Sequence, residues 1–276
     1  MTVRVLVTGG TGKTGSRVVE VLRSSGVFAL PAARSDPPGG VRFDWEDPAT
    51  WPAAVRDVNA IYLVAPPGKW DAAETVVSFV ESALDHGIRR FVLLSGSPIE
   101  AGGPATGKVH AWLQTSDSEW TVLRPSWFME NLSEGPHRRT IRDERGIYTA
   151  AGQGRVPFIS AWDIARTAAG ALTSKSMPCD DFVLTGAELL SYDDVARRLS
   201  ATLGVTITHH ALTFDDMVAR HMAQGLDEAQ AQSLAIMDLV IAGGDEDRVT
   251  HLVEDLTRRA PVSFDEFVTN TRAAWT

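Results

Sequence analysis

The chain has 276 residues, 44% of them hydrophobic and 22% charged, which suits one large α/β domain, alone or with a small appendage. A net charge of −9 argues against nucleic-acid or anionic-membrane partners, which reward a basic face. The single cysteine, Cys179, excludes an intramolecular disulfide, and no run approaches the roughly 18 apolar residues of a membrane span. Thr2-Val3-Arg4 leads straight into a short apolar strand, so no signal peptide is read there and a cytoplasmic location is expected.

Val3–Val7 reads as a buried strand, followed by a glycine turn and a helix with Val18, Val19 and Leu22 on one face. Phe28–Arg34 is the next strand, although Pro31 inside it suits an edge or a bulge. Val41–Asp44 follows. Ile61–Ala65 is the clearest central strand, and Val76, Val77, Val80 and Leu84 mark the helix after it. Phe91–Ser95 and Trp120–Leu123 flank a helix over 107–116. This alternation predicts a parallel sheet covered on both faces, the α/β doubly wound Rossmann class.

The rhythm breaks near residue 126. A helix over 162–173 and a strand over 181–185 follow, then helices started by Ser191 with Asp194 and by Ser263 with Glu266. Residues 214–242 read as a helical pair. The expected organisation is a dinucleotide-binding core over 1–126, with 155–175 returning to it. Residues 127–154 and 176–276 form a smaller, mainly helical substrate-binding part, expected at the carboxyl ends of the strands.

The stretch VTGGTGKTG, residues 7–15, carries two signatures. Its GKT resembles the end of a P-loop, but that motif requires glycine at position 7, where Val7 stands. Gly9, Gly12 and Gly15 fit a dinucleotide turn instead. The first permits the tight turn, the second lets backbone approach a diphosphate, and the third lets helix pack on strand. The helix N-terminus then faces the diphosphate with unpaired amides. Where the second strand ends, NAD enzymes usually carry a carboxylate for the ribose 2′-OH. Here it ends in Ala33-Arg34-Ser35, and Arg34 suits a 2′-phosphate, so NADP(H) is the expected cofactor.

VLVTGGTGKTGSRVVEVL, FVLLSGSPI, WTVLRPSWFMENL and GRVPFISAWDIARTAAGAL together resemble the NmrA-like atypical short-chain dehydrogenase/reductases, over residues 3–203. The branch that contains fungal agroclavine dehydrogenase and many bacterial homologues is the most similar. The resemblance implies NADP(H) held by Gly9, Thr11, Gly12, Lys13, Thr14, Gly15 and Arg34, with Asp44 and Trp45 near the adenine. It implies Ala65, Pro66 and Pro67 along the ribose, and Ser95, Gly96, Pro125, Ser126, Trp127 and Phe128 around the nicotinamide.

Typical short-chain dehydrogenases use Tyr-x-x-x-Lys, the ammonium lowering the tyrosine's pKa from about 10. Four residues before Lys108 stands Pro104. Either the substrate needs no strong acid, or Ser95, Lys108 or His110 supplies the proton, or the protein binds NADP(H) without turnover. Trp127, Phe128, Tyr148 and Met217, with Phe158, Trp162 and Met222, are candidates to line an apolar slot for a flat aromatic substrate. His209 and His210 alternate across a strand and do not share a metal; Asp245-Glu246-Asp247 reads as a solvated loop. No metal site is expected.

The expected function is NADPH-dependent reduction of an aromatic or polycyclic quinone, imine or ketone, in bacterial secondary metabolism by resemblance. The alternatives are a tailoring monooxygenase of an aromatic polyketide and a non-catalytic NADP(H) sensor. A monomer or homodimer is expected.

Overall fold

Fully apolar runs, buried on both faces, set the frame. In chain order the elements are β1 (Arg4–Thr8), α1 (Lys13–Ser24), β2 (Phe28–Ala33), β3 (Val41–Arg42), α2 (Trp51–Val55), β4 (Ala60–Leu63) and α3 (Ala73–Asp85). Then come β5 (Arg90–Leu94), α4 (Thr106–Thr115), β6 (Glu119–Pro125), α5 (Glu130–Ser133), α6 (Pro136–Arg139), β7 (Gly146–Thr149) and β8 (Arg155–Val156). The remainder are α7 (Ala161–Thr173), β9 (Asp180–Leu184), β10 (Leu190–Ser191), α8 (Tyr192–Leu203), β11 (Thr208–Ala211), α9 (Phe214–Ala223), α10 (Glu228–Ala242), α11 (Leu252–Thr257) and α12 (Phe264–Asn270). The computed structural model describes residues 3–66, 68, 69, 72–176 and 178–276.

The chain divides into two units. The first comprises Met1–Pro125, Ala161–Leu184 and Leu252–Arg259. Its seven strands are parallel, in the order β3-β2-β1-β4-β5-β6-β9. On one face Trp51, Val76, Phe79, Val80, Val109 and Leu113 of α2, α3 and α4 pack on Leu6, Ile61, Leu63 and Phe91. On the other, α7 packs against α1 and against β4, β5 and β6. The return to this unit runs over 161–184, not 155–175, because Thr121–Pro125 of β6 pairs residue by residue with β9. Hydropathy marks β9 as a strand without saying which edge it joins. Residues 252–259 also return.

Pro31 sits in β2 at little cost, because β3 pairs only with Ala32 and Ala33 and leaves Pro31 beyond the ladder on that side. Two glycines pass close to it: a Cβ on Gly10 would stand 2.7 Å from Pro31 Cα, and one on Gly40 2.2 Å from Pro31 O. Arg124 of the RPSWF stretch, largely buried, donates to Asp181 at 2.7 Å and to the Ser97 carbonyl at 2.8 Å. It therefore fastens β6 to β9 and to the loop after β5.

The second unit comprises Ser126–Ser160, Thr185–His251 and Ala260–Thr276. Its core contains Met129, Leu132, Phe158, Tyr192, Leu199, Phe264 and Trp275. The α8 start carries the anticipated capping box: the Ser191 hydroxyl accepts from Asp194 N–H at 3.1 Å and the Asp194 carboxylate accepts from Ser191 N–H at 3.0 Å. Ser263 caps α12, its hydroxyl accepting from Glu266 N–H at 3.2 Å. β7 and β11 form a parallel pair, and β8 and β10 an antiparallel one. The acidic run 245–247 differs from its expected solvation: Glu246 is 1% exposed and accepts from the Ser126 hydroxyl at 2.6 Å. Among the described residues, no helix is long and apolar enough to cross a membrane.

Candidate cofactor and substrate sites

The end of β1 is pinned before the chain turns. Thr8 donates its hydroxyl to Tyr62 O at 3.1 Å and accepts from Val64 N–H at 2.7 Å, joining β1 to the end of β4. Gly9 adopts φ 60°, where a Cβ is penalised, and Gly12 N–H donates to Gly9 O at 2.8 Å. Gly12 is the N-cap of α1 and brings no side chain to cover the first turn. A Cβ on Gly15 would lie 2.1 Å from Gly9 O, so only glycine lets α1 start this close to the strand. Thr11 and Gly12 are exposed, Lys13 is half-buried, and Thr14 and Gly15 are buried. The result is a bare cradle at the positive end of a 12-residue helix, the chemistry a diphosphate requires.

At the end of β2, Arg34 is exposed and has no ion pair or hydrogen bond among the described residues. Asp44 is held in its own turn: its carboxylate accepts from Glu46 N–H at 3.0 Å and its carbonyl accepts from Trp51 Nε1–H at 3.0 Å. Trp45 stands edge-on to Phe43 and Phe79, with ring centres at 4.8 and 5.3 Å. Ala65 and Pro66 are half-buried after β4, and Pro67 lies outside the described residues.

Ser95 and Gly96 continue β5 as half-buried residues, Ser95 N–H donating to Leu123 O at 2.8 Å. The Ser95 hydroxyl lies 2.8 Å from that of Thr106, the first residue of α4. The sequence reading did not single out Thr106. Ala105 before it adopts φ 49°, a strained turn for a residue with a Cβ, and this sets Thr106 against Ser95. Lys108 is exposed.

His110, one of the candidate proton donors, lies on the buried side of α4. It is 1% exposed with its ring 5.6 Å from that of Trp120. Its Nδ1 has no partner among the described residues. Burial lowers its pKa, opposed by the charge of Asp181 and assisted by that of Arg124. An imidazole buried neutral in the fold but free to protonate when unfolded lowers stability as pH falls below about 6.5. Replacing His110 by phenylalanine should therefore flatten the decline in Tm between pH 7 and 5. An unchanged slope in thermal melts would refute this.

Pro125 closes β6 in the first unit, while Ser126 belongs to the second, its hydroxyl turned to Glu246. The second unit holds a cavity of about 200 Å³. Trp127, Tyr148 and Met217 line it, joined by Tyr192, Arg220 and Asp238, which the sequence reading did not single out. Phe128 is not among the lining; its backbone bridges to Ile159. Phe158 is in the core, and Met222 is exposed.

Tyr148 is clamped. His210 stacks on its ring at 4.7 Å and the Arg220 guanidinium covers it at 3.6 Å, while Arg220 donates to Glu144 at 2.8 Å. Gly146 allows the ring to fold back, since a Cβ there would meet it at 2.8 Å. Asp238 is pushed up to about 6 by burial, with Ala150 N–H holding the carboxylate partly against that rise. One sign of it was legible: a lone carboxylate in the apolar run from Ala229 to Ala242. Among the described residues, no group of three or more metal-ligating side chains is gathered.

A parallel sheet of this order, with a glycine turn opening the first helix, defines a dinucleotide-binding protein of the doubly wound class. The sequence model of the NAD(P)H-binding family matches residues 9–175. The chain belongs to that family, in the NmrA-like branch of the atypical short-chain dehydrogenase/reductases, and is an NAD(P)H-dependent oxidoreductase. It is 40% identical to agroclavine dehydrogenase of Claviceps fusiformis over 285 aligned positions, covering 98% of each chain. The structure of Citrobacter sp. triphenylmethane reductase complexed with NADP(H) superposes with TM-score 0.81 at 20% identity, covering 97% of this chain and 99% of that one. That of the Escherichia coli NADPH-dependent quinone oxidoreductase complexed with NADPH gives 0.80 at 20% identity, covering 96% and 99%. None of these three is named for oxygenation.

Proposed function

We propose that this protein reduces a polycyclic or aromatic small molecule with NADPH, the first unit holding the cofactor and the second the substrate. The observation that carries the cofactor choice is Arg34, an exposed cation with no partner among the described residues, at the strand end where a carboxylate would select NAD. NADP(H) also occupies the two structural neighbours, and agroclavine dehydrogenase is named for a polycyclic substrate. The bound cofactor supplies hydride. The chain's own part is to bind, orient and exclude water.

The amides at the start of α1 hold the diphosphate, and Arg34 the 2′-phosphate. Pro104 stands four residues before Lys108, so a tyrosine–lysine pair is not assigned there. The paired hydroxyls of Ser95 and Thr106 are assigned to orient the reacting end of the site by hydrogen bonding. The aromatic walls of the second unit's cavity match a flat ring system.

The test is NADPH oxidation against quinones, cyclic imines and polycyclic ketones, with and without oxygen. Turnover preferring NADPH to NADH by about tenfold or more supports the proposal. Dinucleotide binding without turnover across the panel would favour a sensor, and stoichiometric oxygen uptake an oxygenase.

A further inference from the structure

The first unit carries a groove of about 370 Å³, larger than the cavity of the second unit and of a size that small-molecule sites have. The end of α1, one face of α7 and the turn after α11 form it, and all three belong to that unit. It lies apart from the cofactor cradle, since Leu22 in its wall stands roughly 15 Å along α1 from Gly12.

Arg166 and Arg259 line this groove, and no carboxylate does, in a chain whose net charge is −9. Arg166 is aimed. Its guanidinium donates at 2.9 Å to Asp163, a buried carboxylate outside the lining, and its remaining N–H groups have no partner among the described residues. Arg259 is exposed, and its guanidinium makes no hydrogen bond or ion pair among the described residues. A strained turn presents it: Arg258 holds φ 58° with a side chain, and Arg259 N–H donates to the Thr257 hydroxyl at 3.3 Å.

Four hydroxyls of the lining set a second requirement. Ser24 and Ser25 both donate to Val21 O at 2.9 Å, Thr173 donates to Ala169 O at 2.7 Å and Thr257 to Val253 O at 2.6 Å. Each proton is held by a carbonyl near a helix end, which offsets the negative pole there and leaves oxygen lone pairs for the groove. Open guanidiniums require an anion with several oxygens, and hydroxyls that can only accept require donors.

We propose that this groove binds a hydroxylated phosphomonoester the size of a sugar phosphate. Its phosphate oxygens accept from Arg166 and Arg259, and its hydroxyls donate to Ser24, Ser25 and Thr173. Two guanidiniums from separate elements need more than one face of an anion. A phosphomonoester offers three acceptor oxygens and nearly two charges at neutral pH, where a carboxylate offers two oxygens and one charge. The site is separate from the substrate cavity, and its ligand is bound without being reduced.

The experiment is calorimetric titration of the full chain at pH 7.5 and low salt, with and without saturating NADPH. The probes are glucose 6-phosphate, inorganic phosphate and glucose, which separate charge from hydroxyls. Glucose 6-phosphate should bind at least about tenfold tighter than phosphate, and glucose should give no heat at the same concentrations. Arg259→Gln, at an exposed position where no packing is lost, should weaken glucose 6-phosphate about tenfold. Thr173→Val keeps the shape and removes one acceptor. It should weaken glucose 6-phosphate about threefold and leave phosphate unchanged. NADPH affinity should stay within about threefold of native in both variants, because neither touches the cofactor site. Glucose 6-phosphate that binds no tighter than phosphate, or equally to the native and Arg259→Gln chains, would overturn the proposal. Heat that NADPH abolishes belongs to the cofactor cradle and would overturn it as well.

Discussion

Gly15→Ala should abolish NAD(P)H binding at concentrations that saturate the native protein. The added methyl would meet Gly9 O at 2.1 Å, where ordinary carbon–oxygen contact begins beyond 3 Å. Gly9 has nowhere to retreat. It already holds φ 60°, and its own Cβ position is 3.2 Å from Val64 Cβ. Gly10, next along, is pressed to Pro31 at 2.7 Å by the same measure. The turn and the first turn of α1 must therefore separate, which misaims every amide meant for the diphosphate. Overpacking of this kind costs about 1–3 kcal/mol of stability. Two lost charge-assisted hydrogen bonds at about 1.5–3 kcal/mol each weaken binding by more than a hundredfold. Gly170→Ala in α7 is the control, because nothing lies within 4 Å of the Cβ it would add. It should hold or raise Tm and leave cofactor affinity unchanged. Tryptophan-fluorescence titration decides: NADPH affinity within threefold of native in Gly15→Ala would remove the glycine turn from the cofactor site.

Arg34→Glu should raise the Kd for NADPH about 10- to 100-fold while leaving that for NADH within about threefold. Arg34 is exposed at the end of β2, so its removal breaks no packing and the variant should melt with the native protein. A forked guanidinium can make two charge-assisted bonds to a phosphate, and a glutamate there repels it but accepts from a ribose hydroxyl. The salt dependence should move with it: NADPH affinity of the native protein weakens with added salt more than that of the variant. Parallel losses for both dinucleotides would assign Arg34 to general electrostatics and leave the 2′-phosphate without a reader.

What the sequence discloses and what it conceals divide by distance along the chain. The glycine turn, the capping box at Ser191, the N-cap at Ser263 and the central strands depend on residues within a few positions of one another, so they can be read directly. Glu246 looked solvated because its neighbours are acidic, yet it is buried on Ser126, 120 residues away. Tyr148 was legible as an aromatic candidate, but its clamp by His210 and Arg220 needs the β7–β11 pairing and α9. The burial of His110 is another such case. Its type suggested acid–base work, whereas helix α4 turns it toward Trp120 and into the core. Residue identity offers a chemistry; burial decides whether it is used.

The order in which the chain visits its two units governs how it can be built. Neither unit is one continuous stretch: the sheet lacks its seventh strand until residue 184, and Leu252–Arg259 returns later still. The second unit begins at Ser126 yet closes its core with Trp275, whose indole N–H donates to Leu132 O at 2.8 Å. A ribosome thus delivers each unit in pieces, with the first part of one waiting as an unfinished edge while the other is made. Pairings of such long sequence separation slow folding and expose strand edges in the interval. Interrupting translation between residues 184 and 252 should yield nascent chains sensitive to protease in both units, where a protein of sequential domains would already protect its first.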